Sequence, residues 1–342
     1  MLEIRKEAWN KVALAAFFGH LVLAIWFVER GRLNADEGWY LYAARMMSMG
    51  HLPYQDFQFF QPPVYPRVMA GLVQSGSGSL LAGRWWSWVM LVMSVGVMAL
   101  SARRVAGALG AAVVMLCVGL HPLVVGTAVL AKPYALTLLL VSSGLFLLLG
   151  KEGKALRVVL GFVLLALAVG TRLSLFALLV PLLFGQRRQN FFLACLGCVV
   201  GFSLVLRSIP LNADVQLWEQ LLGFHWGDGG SLFDRLGWLF HCVTVWGVFC
   251  FALLRGDSPI RGLRLGCFLA VVVHLFPSQL HVEHLVVVLP ALILLVVSPG
   301  CMGFLDGLRS LLLAAGLLFL GVLAGSRFVH LDDDYSSVQQ TM

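Results

Sequence analysis

Long apolar runs recur along the whole chain, and many of them contain enough residues to cross a lipid bilayer as a helix. About 18 or more apolar residues are needed, because the hydrocarbon core of a bilayer is roughly 30 Å thick. Of the 342 residues, 60% are hydrophobic and only 12% are charged, about half the charged fraction of a soluble domain. The chain is therefore predicted to be an all-α, polytopic integral membrane protein.

We predict about eleven transmembrane helices within a single domain that covers residues 1–342. No small-x-small cleavage site follows the first apolar run, so this run is expected to remain as an uncleaved helix. A polar, aromatic and proline-containing first outer loop covers about 30–79, and a short external tail covers about 326–342. The predicted spans are about 11–29, 80–102, 107–126, 133–150, 156–170, 172–186, 190–208, 233–254, 263–277, 282–298 and 309–325.

The basic residues of the short loops set the predicted orientation. Of the 24 Lys and Arg residues, 14 fall on the side that holds the N-terminus, and cytoplasmic loops carry such an excess. We therefore expect a cytoplasmic N-terminus and an external C-terminus, in the inner or plasma membrane of a bacterium. The net charge of +7 does not indicate nucleic-acid binding, because the basic residues are scattered singly or in pairs between apolar runs.

The other ten basic residues lie on the predicted outer side, against this bias. Some are expected to contact lipid headgroups, as long cationic side chains do at helix ends. The others indicate a local anion, for which a lipid phosphate is the obvious candidate. The ten residues are Arg30, Arg32, Arg45, Arg67, Arg84, Lys132, Arg172, Arg207, Arg235 and Arg327.

The first outer loop contains two predicted helices, at about 34–49 and 61–74. The first is rich in aromatic and Met side chains and should lie in the membrane interface. It begins at Asn34, which together with Glu37 resembles a capping box, and it ends before Gly50. The second starts at a Pro-Pro pair, which suits the first turn of a helix.

An adjacent acidic pair, Asp36 and Glu37, stands at the start of the first of these helices. Both carboxylates can serve simply to stabilise the helix N-terminus through its dipole. Alternatively, Asp36 has a functional role at the lipid boundary. The residues alone leave both interpretations open.

Four motifs stand out along the chain. They are Asp36-Glu37-Gly-Trp-Tyr40-Leu-Tyr-Ala-Ala-Arg45 with the later Gln61-Pro62-Pro63-Val-Tyr65, then Ala131-Lys132-Pro133-Tyr134-Ala135-Leu136, then Gly170-Thr171-Arg172, then His281-Val-Glu283-His284 with Leu289-Pro290-Ala291-Leu292. In type and order they resemble the motifs of the C-type glycosyltransferases, a superfamily that includes protein O-mannosyltransferases and the lipid A aminoarabinose transferase. The resemblance covers about residues 8–298, and the first-loop motif is the most specific.

The resemblance implies an inverting transfer of a sugar from a polyprenyl-phosphate donor to an acceptor hydroxyl on the outer face. Asp36 would be the general base, and Glu37 a supporting catalytic residue. Many members have a lysine before Pro-Pro where this chain has Gln61, so phosphate binding is expected to depend on other cations. The candidates for donor and phosphate binding are Arg45, Gln61, Lys132, Tyr134 and Arg172, and those for acceptor or substrate contact are Tyr40, Tyr65, His281 and His284.

Elementary chemistry favours the same reaction class. A phosphate leaving group needs cations to stabilise its developing charge, and an acceptor hydroxyl needs one general base. The expected partners are the polyprenyl-phosphate sugar, membrane lipids, and a lipid, glycan or protein acceptor. Two alternatives are a transporter or flippase of a lipid-linked sugar, although no internal repeat is visible, and a non-catalytic relative of the enzymes.

We expect no cofactor and no metal. The alternative is a divalent cation held by His281, Glu283 and His284, since His-x-x-His spacing places two imidazoles on one face of a helix. At a membrane boundary, we favour hydrogen bonding or substrate contact for these residues.

Overall fold

The computed structural model describes residues 2–76, 78–150, 155–210, 217, 219–223, 253, 257–274 and 282–299. These residues form α-helices joined by short turns, with no β-strand among them. The helices are α1 (Leu2–Arg30), α2 (Ala35–Ser48), α3 (Val64–Gln74), α4 (Leu80–Val114), α5 (Pro122–Ala128), α6 (Tyr134–Leu148), α7 (Ala155–Val169), α8 (Phe176–Phe184), α9 (Arg188–Leu206), α10 (Leu263–Val273) and α11 (Leu289–Val296). Shorter 3₁₀ and π segments are Met115–Gly119, Leu173–Leu175, Glu219–Gly223 and Val282–Val288.

Three described stretches are long and apolar enough to cross a membrane, and five shorter apolar stretches have 10–17 residues when adjoining 3₁₀ turns are included. The three are Lys6–Arg30, Leu80–Gly119 and Arg188–Leu206. Each predicted span before residue 210 has a helix at its position, which confirms the polytopic helical architecture. Of the predicted span 233–254 only residue 253 is described, and the span 309–325 lies wholly outside the described residues.

The long helix α4 contains a break where the sequence predicts a gap between two spans. Gly107 has φ 67°, a left-handed conformation that glycine adopts without steric cost. After the break the chain turns back along itself, so that Gly110 lies against the carbonyl of Ala102 and Gly119 against the side chain of Val95. Helix α4 therefore corresponds to the two predicted spans of a hairpin.

The first outer loop forms the two predicted short helices, α2 and α3. Asn34 is the N-cap of α2, and its side chain accepts a hydrogen bond of 3.0 Å from the amide of Asp36. The capping box itself is not formed, because the two oxygens of the Glu37 carboxylate accept hydrogen bonds from Arg84 and from the amide of Ala131. Pro63 precedes the first residue of α3, as the Pro-Pro pair predicts.

The centre of the bundle is apolar. All eight residues of α11 are buried, which is typical of a helix surrounded by other helices. The helix α6 packs against α4 on one side and α7 on the other, and α11 contacts both α6 and α4. This packing brings the N-terminal end of α6 to the same end of the bundle as the first outer loop.

The orientation leads to a labelling prediction. In a variant without native cysteines, Ser75→Cys at the end of α3 should react with a membrane-impermeant maleimide in intact cells, whereas Gln189→Cys at the start of α9 should not. Both positions are exposed and lie at opposite ends of the bundle. Permeabilised cells provide the control, in which both cysteines should be labelled. Labelling of Gln189→Cys alone in intact cells would show the reverse orientation.

Candidate functional site

A buried ion pair joins the first outer loop to the membrane bundle. The side chains of Glu37 and Arg84 are both 0% exposed. Arg84 donates to both carboxylate oxygens of Glu37, from Nε at 2.8 Å and from Nη2 at 2.6 Å. This bidentate geometry is the strongest form of arginine–carboxylate contact.

The remaining donors of Arg84 bind the end of α1. Its Nη1 donates to the carbonyls of Val28 at 3.4 Å and Gly31 at 2.9 Å, and its Nη2 donates to that of Arg32 at 2.9 Å. A guanidinium has five N–H donors, so all of them are used. The backbone amide of Ala131 donates to Glu37 at 2.8 Å. One ion pair therefore connects α1, α2, α4 and the turn before α6.

Asp36 faces the opposite way from its neighbour. Its side chain is 60% exposed, whereas that of its partner Lys132 is only 9% exposed. The ammonium of Lys132 donates to Asp36 Oδ2 at 2.7 Å. Ala131 is bonded to Glu37 and Lys132 to Asp36, so the two adjacent acids hold two successive residues of one turn. The carboxylate of Asp36 is thus accessible, and its orientation is fixed by a nearly buried cation.

Two cations lie at the ring of Tyr134. The guanidinium carbon of Arg172 is 4.3 Å from the ring centroid, and the ammonium of Lys132 is 5.6 Å from it. Both distances are within the range of cation–π attraction. The ring therefore contacts two positive charges, of which Lys132 is also bonded to Asp36.

The corner that carries Arg172 is fixed by short hydrogen bonds. The hydroxyls of Thr137 and Thr171 lie 2.7 Å apart, and both are 0% exposed. The amide of Val64, the first residue of α3, donates to the carbonyl of Gly170 at 3.1 Å. The start of α6, the corner after α7 and the first outer loop are thereby joined into one unit.

The predicted contact residues Tyr40 and Tyr65 form the wall behind this unit. They are 4% and 0% exposed, and their rings meet edge to face with centroids 5.4 Å apart. Burial raises the pKa of Tyr40 above its ordinary value, while the charge of Arg172 opposes this shift. Tyr40 is therefore neutral at physiological pH and suited to shape the site rather than to act as its base.

The other predicted residues are distributed more widely. Arg45 is exposed in the last turn of α2, nine residues and about 13 Å along the helix axis from Asp36. Gln61 is half-buried, and its carbonyl accepts a bond of 2.6 Å from the hydroxyl of Tyr54. Arg45 therefore lies at the opposite end of α2 from Asp36.

The late histidine motif approaches the same side of the bundle. The ring of His284 lies 6.1 Å from that of His274, between centroids, and Glu283 interacts electrostatically with Arg172. His281 is one of the three ligands of the alternative metal site, and it lies outside the described residues.

The sequence analysis included Arg84 only among the ten outer basic residues and did not assign it to the site. Its signal was present, because an arginine in an apolar helix is costly without a partner. The sequence alone did not identify that partner, since Glu37 is 47 residues away and is also well placed for a capping box. Glu37 is thus the structural partner of Arg84, and the supporting catalytic role that the resemblance implies for it stays a prediction.

Comparisons with known proteins bear on the fold. No protein-family model matches the chain, and no curated protein sequence does. The fold is similar to that of ArnT from Cupriavidus metallidurans, both in a crystal structure with bound undecaprenyl phosphate (TM-score 0.58, 17% identity) and in the apo state (TM-score 0.59, 19% identity). The chain has the C-type glycosyltransferase fold. Each comparison covers 93% of this chain but only 63% of ArnT, so the chain spans less than two thirds of the ArnT length. The fold that the motifs predicted is confirmed.

The buried ion pair leads to a stability prediction. Glu37→Gln or Arg84→Met should each lower the free energy of unfolding by about 3–5 kcal/mol, because either change leaves an uncompensated buried charge. The double variant should lose less than the sum of the two, since the two residues are in direct contact. Thermal unfolding of the purified protein in detergent measures all three.

The control for this cycle is the exposed pair of Lys11 and Glu7, whose N–O distance of 2.8 Å is similar. Lys11→Met should change the free energy of unfolding by less than about 0.5 kcal/mol, because solvent screens exposed pairs. Equal losses for Lys11→Met and Arg84→Met would contradict the structural role of the buried pair.

Proposed function

We propose that the chain is a membrane glycosyltransferase that moves a sugar from a polyprenyl-phosphate donor to an acceptor hydroxyl, with inversion at the sugar carbon. The main support is the pair formed by Asp36 and Lys132, in which an exposed carboxylate is held at 2.7 Å from a nearly buried cation. The C-type glycosyltransferase fold supports the same class of reaction.

In the proposed reaction, the acceptor oxygen attacks the first carbon of the sugar from the face opposite the phosphate. The bond between that carbon and the phosphate oxygen breaks, and its electron pair leaves with the phosphate. The proton of the acceptor hydroxyl passes to the Asp36 carboxylate, which acts as general base. The products are the glycosylated acceptor and the polyprenyl phosphate.

The donor phosphate is assigned to the cations at Tyr134. Lys132 and Arg172 both lie against this ring, and in a site of low dielectric their charges stabilise the leaving phosphate strongly. ArnT, which shares the fold, binds undecaprenyl phosphate in one of its crystal structures. This cluster also compensates for Gln61, which stands where many relatives have a phosphate-binding lysine.

Glu37 and Arg84 act in this proposal as positioning residues. Both are fully buried and bonded to each other, so neither contacts the substrates. They fix the first turn of α2, which carries Asp36, and the Ala131 turn, which leads to Lys132. Tyr40 and Tyr65 form the buried wall behind the site, His284 remains a candidate for substrate contact, and a lipid, glycan or protein remains the proposed acceptor on the outer, periplasmic face.

The base assignment leads to an activity prediction. Asp36→Asn should lower the rate of sugar transfer by about 10²- to 10⁴-fold, the usual contribution of a general base, while donor affinity changes little. The measurement is transfer from a panel of polyprenyl-phosphate sugars by purified protein, with donor binding followed separately.

The matched control is Asp56→Asn, which changes another carboxylate of the same loop. Asp56 accepts a hydrogen bond from the amide of Leu52 and has no role in the proposed chemistry, so transfer should persist. If Asp36→Asn transferred sugar at the parental rate, the proposed mechanism would be wrong. Donor binding without transfer by the parental protein would favour the transporter or non-catalytic alternative.

The phosphate site leads to a binding prediction. Lys132→Met and Arg172→Met should each weaken donor binding by about 10- to 100-fold, because a hydrogen bond to a charged group contributes about 1.5–3 kcal/mol. Arg45→Met should leave donor affinity unchanged, because Arg45 is exposed at the far end of α2. Arg67→Met, also exposed, serves as a second control. A loss in Arg45→Met alone would move the phosphate site to that end of α2.

A further inference from the structure

A cavity lies at the opposite end of the bundle from Asp36. It has a volume of about 350 Å³, within the range of small-molecule sites. It is formed by the last turn of α6, the first turn of α7, the turn between α8 and α9, and the segment before α10. By the loop charges, this end of the protein is the cytoplasmic one.

Three arginines line this cavity: Arg157, Arg187 and Arg261. Of the described residues that line it, none carries a carboxylate, and Asp257 is not among them. Arg157 lies in the first turn of α7, so the helix dipole does not offset its charge. Helix N-termini carry partial positive charge, so among the described residues the polar side of the lining is positive.

Close backbone packing fixes the wall that carries Arg261. Gly262 has φ 81°, and a Cβ at this position would overlap the carbonyl of Pro181 in α8. A Cβ at Gly185 would lie 2.5 Å from the carbonyl of Arg261. The two glycines thus allow the segment before α10 to lie directly against the end of α8. Arg261 is held at the cavity by rigid backbone rather than by a free loop.

The cavity has an apolar side as well. Leu147 and Leu148 from α6, Val158 from α7 and Ile260 line it. On the neighbouring surface, Leu156 and Phe184 are 68% and 71% exposed, as expected for side chains that face lipid tails. A positive pocket with an apolar wall that continues onto the lipid-facing surface matches a molecule with a charged head and an acyl chain.

Orientation signals alone do not explain this arrangement. The positive-inside bias depends on the number of basic residues in a loop, and it does not require arginines from three loops to converge on one cavity. Basic pockets between transmembrane helices on the cytoplasmic side bind anionic lipid headgroups. We propose that this cavity binds a phosphate group, carried by an anionic phospholipid of the cytoplasmic leaflet.

The test uses the full-length protein purified in detergent and native mass spectrometry with three probes: phosphatidylglycerol, phosphatidylcholine and glycerol phosphate. Phosphatidylglycerol should bind more tightly than the other two. An arginine near the membrane surface contributes about fivefold to the binding of an anionic lipid. The double variant Arg157→Gln/Arg261→Gln should therefore weaken binding of phosphatidylglycerol by on the order of 20-fold.

Two further variants separate the cavity from general charge and from misfolding. Arg67→Gln/Arg207→Gln removes the same charge from exposed positions elsewhere and should bind phosphatidylglycerol like the parent. Arg157→Lys/Arg261→Lys keeps the charge and should retain most of the affinity, whereas a purely structural role for the guanidinium groups would not be rescued in this way.

Two results would overturn the proposal. Equal loss of phosphatidylglycerol binding in the cavity variant and in the charge-matched control would reduce it to a general surface effect. Glycerol phosphate binding as tightly as the lipid would assign the phosphate to a soluble compound instead of a phospholipid. The assay does not depend on sugar transfer, so its outcome is independent of the proposed enzymatic function.

Discussion

The ion pair of Glu37 and Arg84 determines how the end of the protein that carries Asp36 is assembled. Removing each ion from water costs several kcal/mol even after relaxation, so such a pair persists only when its hydrogen-bonding groups are satisfied. Here the five guanidinium donors all have acceptors, and Glu37 also receives the amide of Ala131. The bonds connect segments that are distant in sequence, and the positions of Asp36 and Lys132 depend on them.

Adjacent positions on one helix allow the acidic pair to divide its tasks. Successive residues of an α-helix point about 100° apart, so a first turn that directs Glu37 into the bundle directs Asp36 away from it. The exposed fractions agree, at 0% and 60% for the two side chains. A buried carboxylate next to an accessible one thus gives the accessible group a fixed backbone without placing a second acid in the site.

The sequence predicts those parts of the structure that depend on local pattern. Apolar runs locate the helices, Pro-Pro and Asn34 locate the starts of α3 and α2, and the spacing of two spans locates the break at Gly107. The motif order also selects Lys132 and Arg172, which lie with Asp36 at one end of the bundle. It does not reveal that Glu37 pairs with Arg84 or that the Phe59 amide bonds to Gln220 at 2.8 Å, because such contacts depend on tertiary packing. The exposure of Arg45 likewise depends on tertiary packing, because the packing decides which face of α2 is buried.

In the proposed reaction, Lys132 has a particular electrostatic advantage. Negative charge leaves Asp36 when the carboxylate takes up the acceptor proton, and negative charge increases on the phosphate when the sugar bond breaks. An ammonium has three N–H donors, and only one of them is needed for the bond to Asp36. The others can contact the phosphate. One nearly buried cation then interacts both with the carboxylate that loses negative charge and with the phosphate that gains it. Such preorganised charge needs no rearrangement as the reaction proceeds, which explains why a lysine bonded to the base is also well placed to stabilise the leaving group.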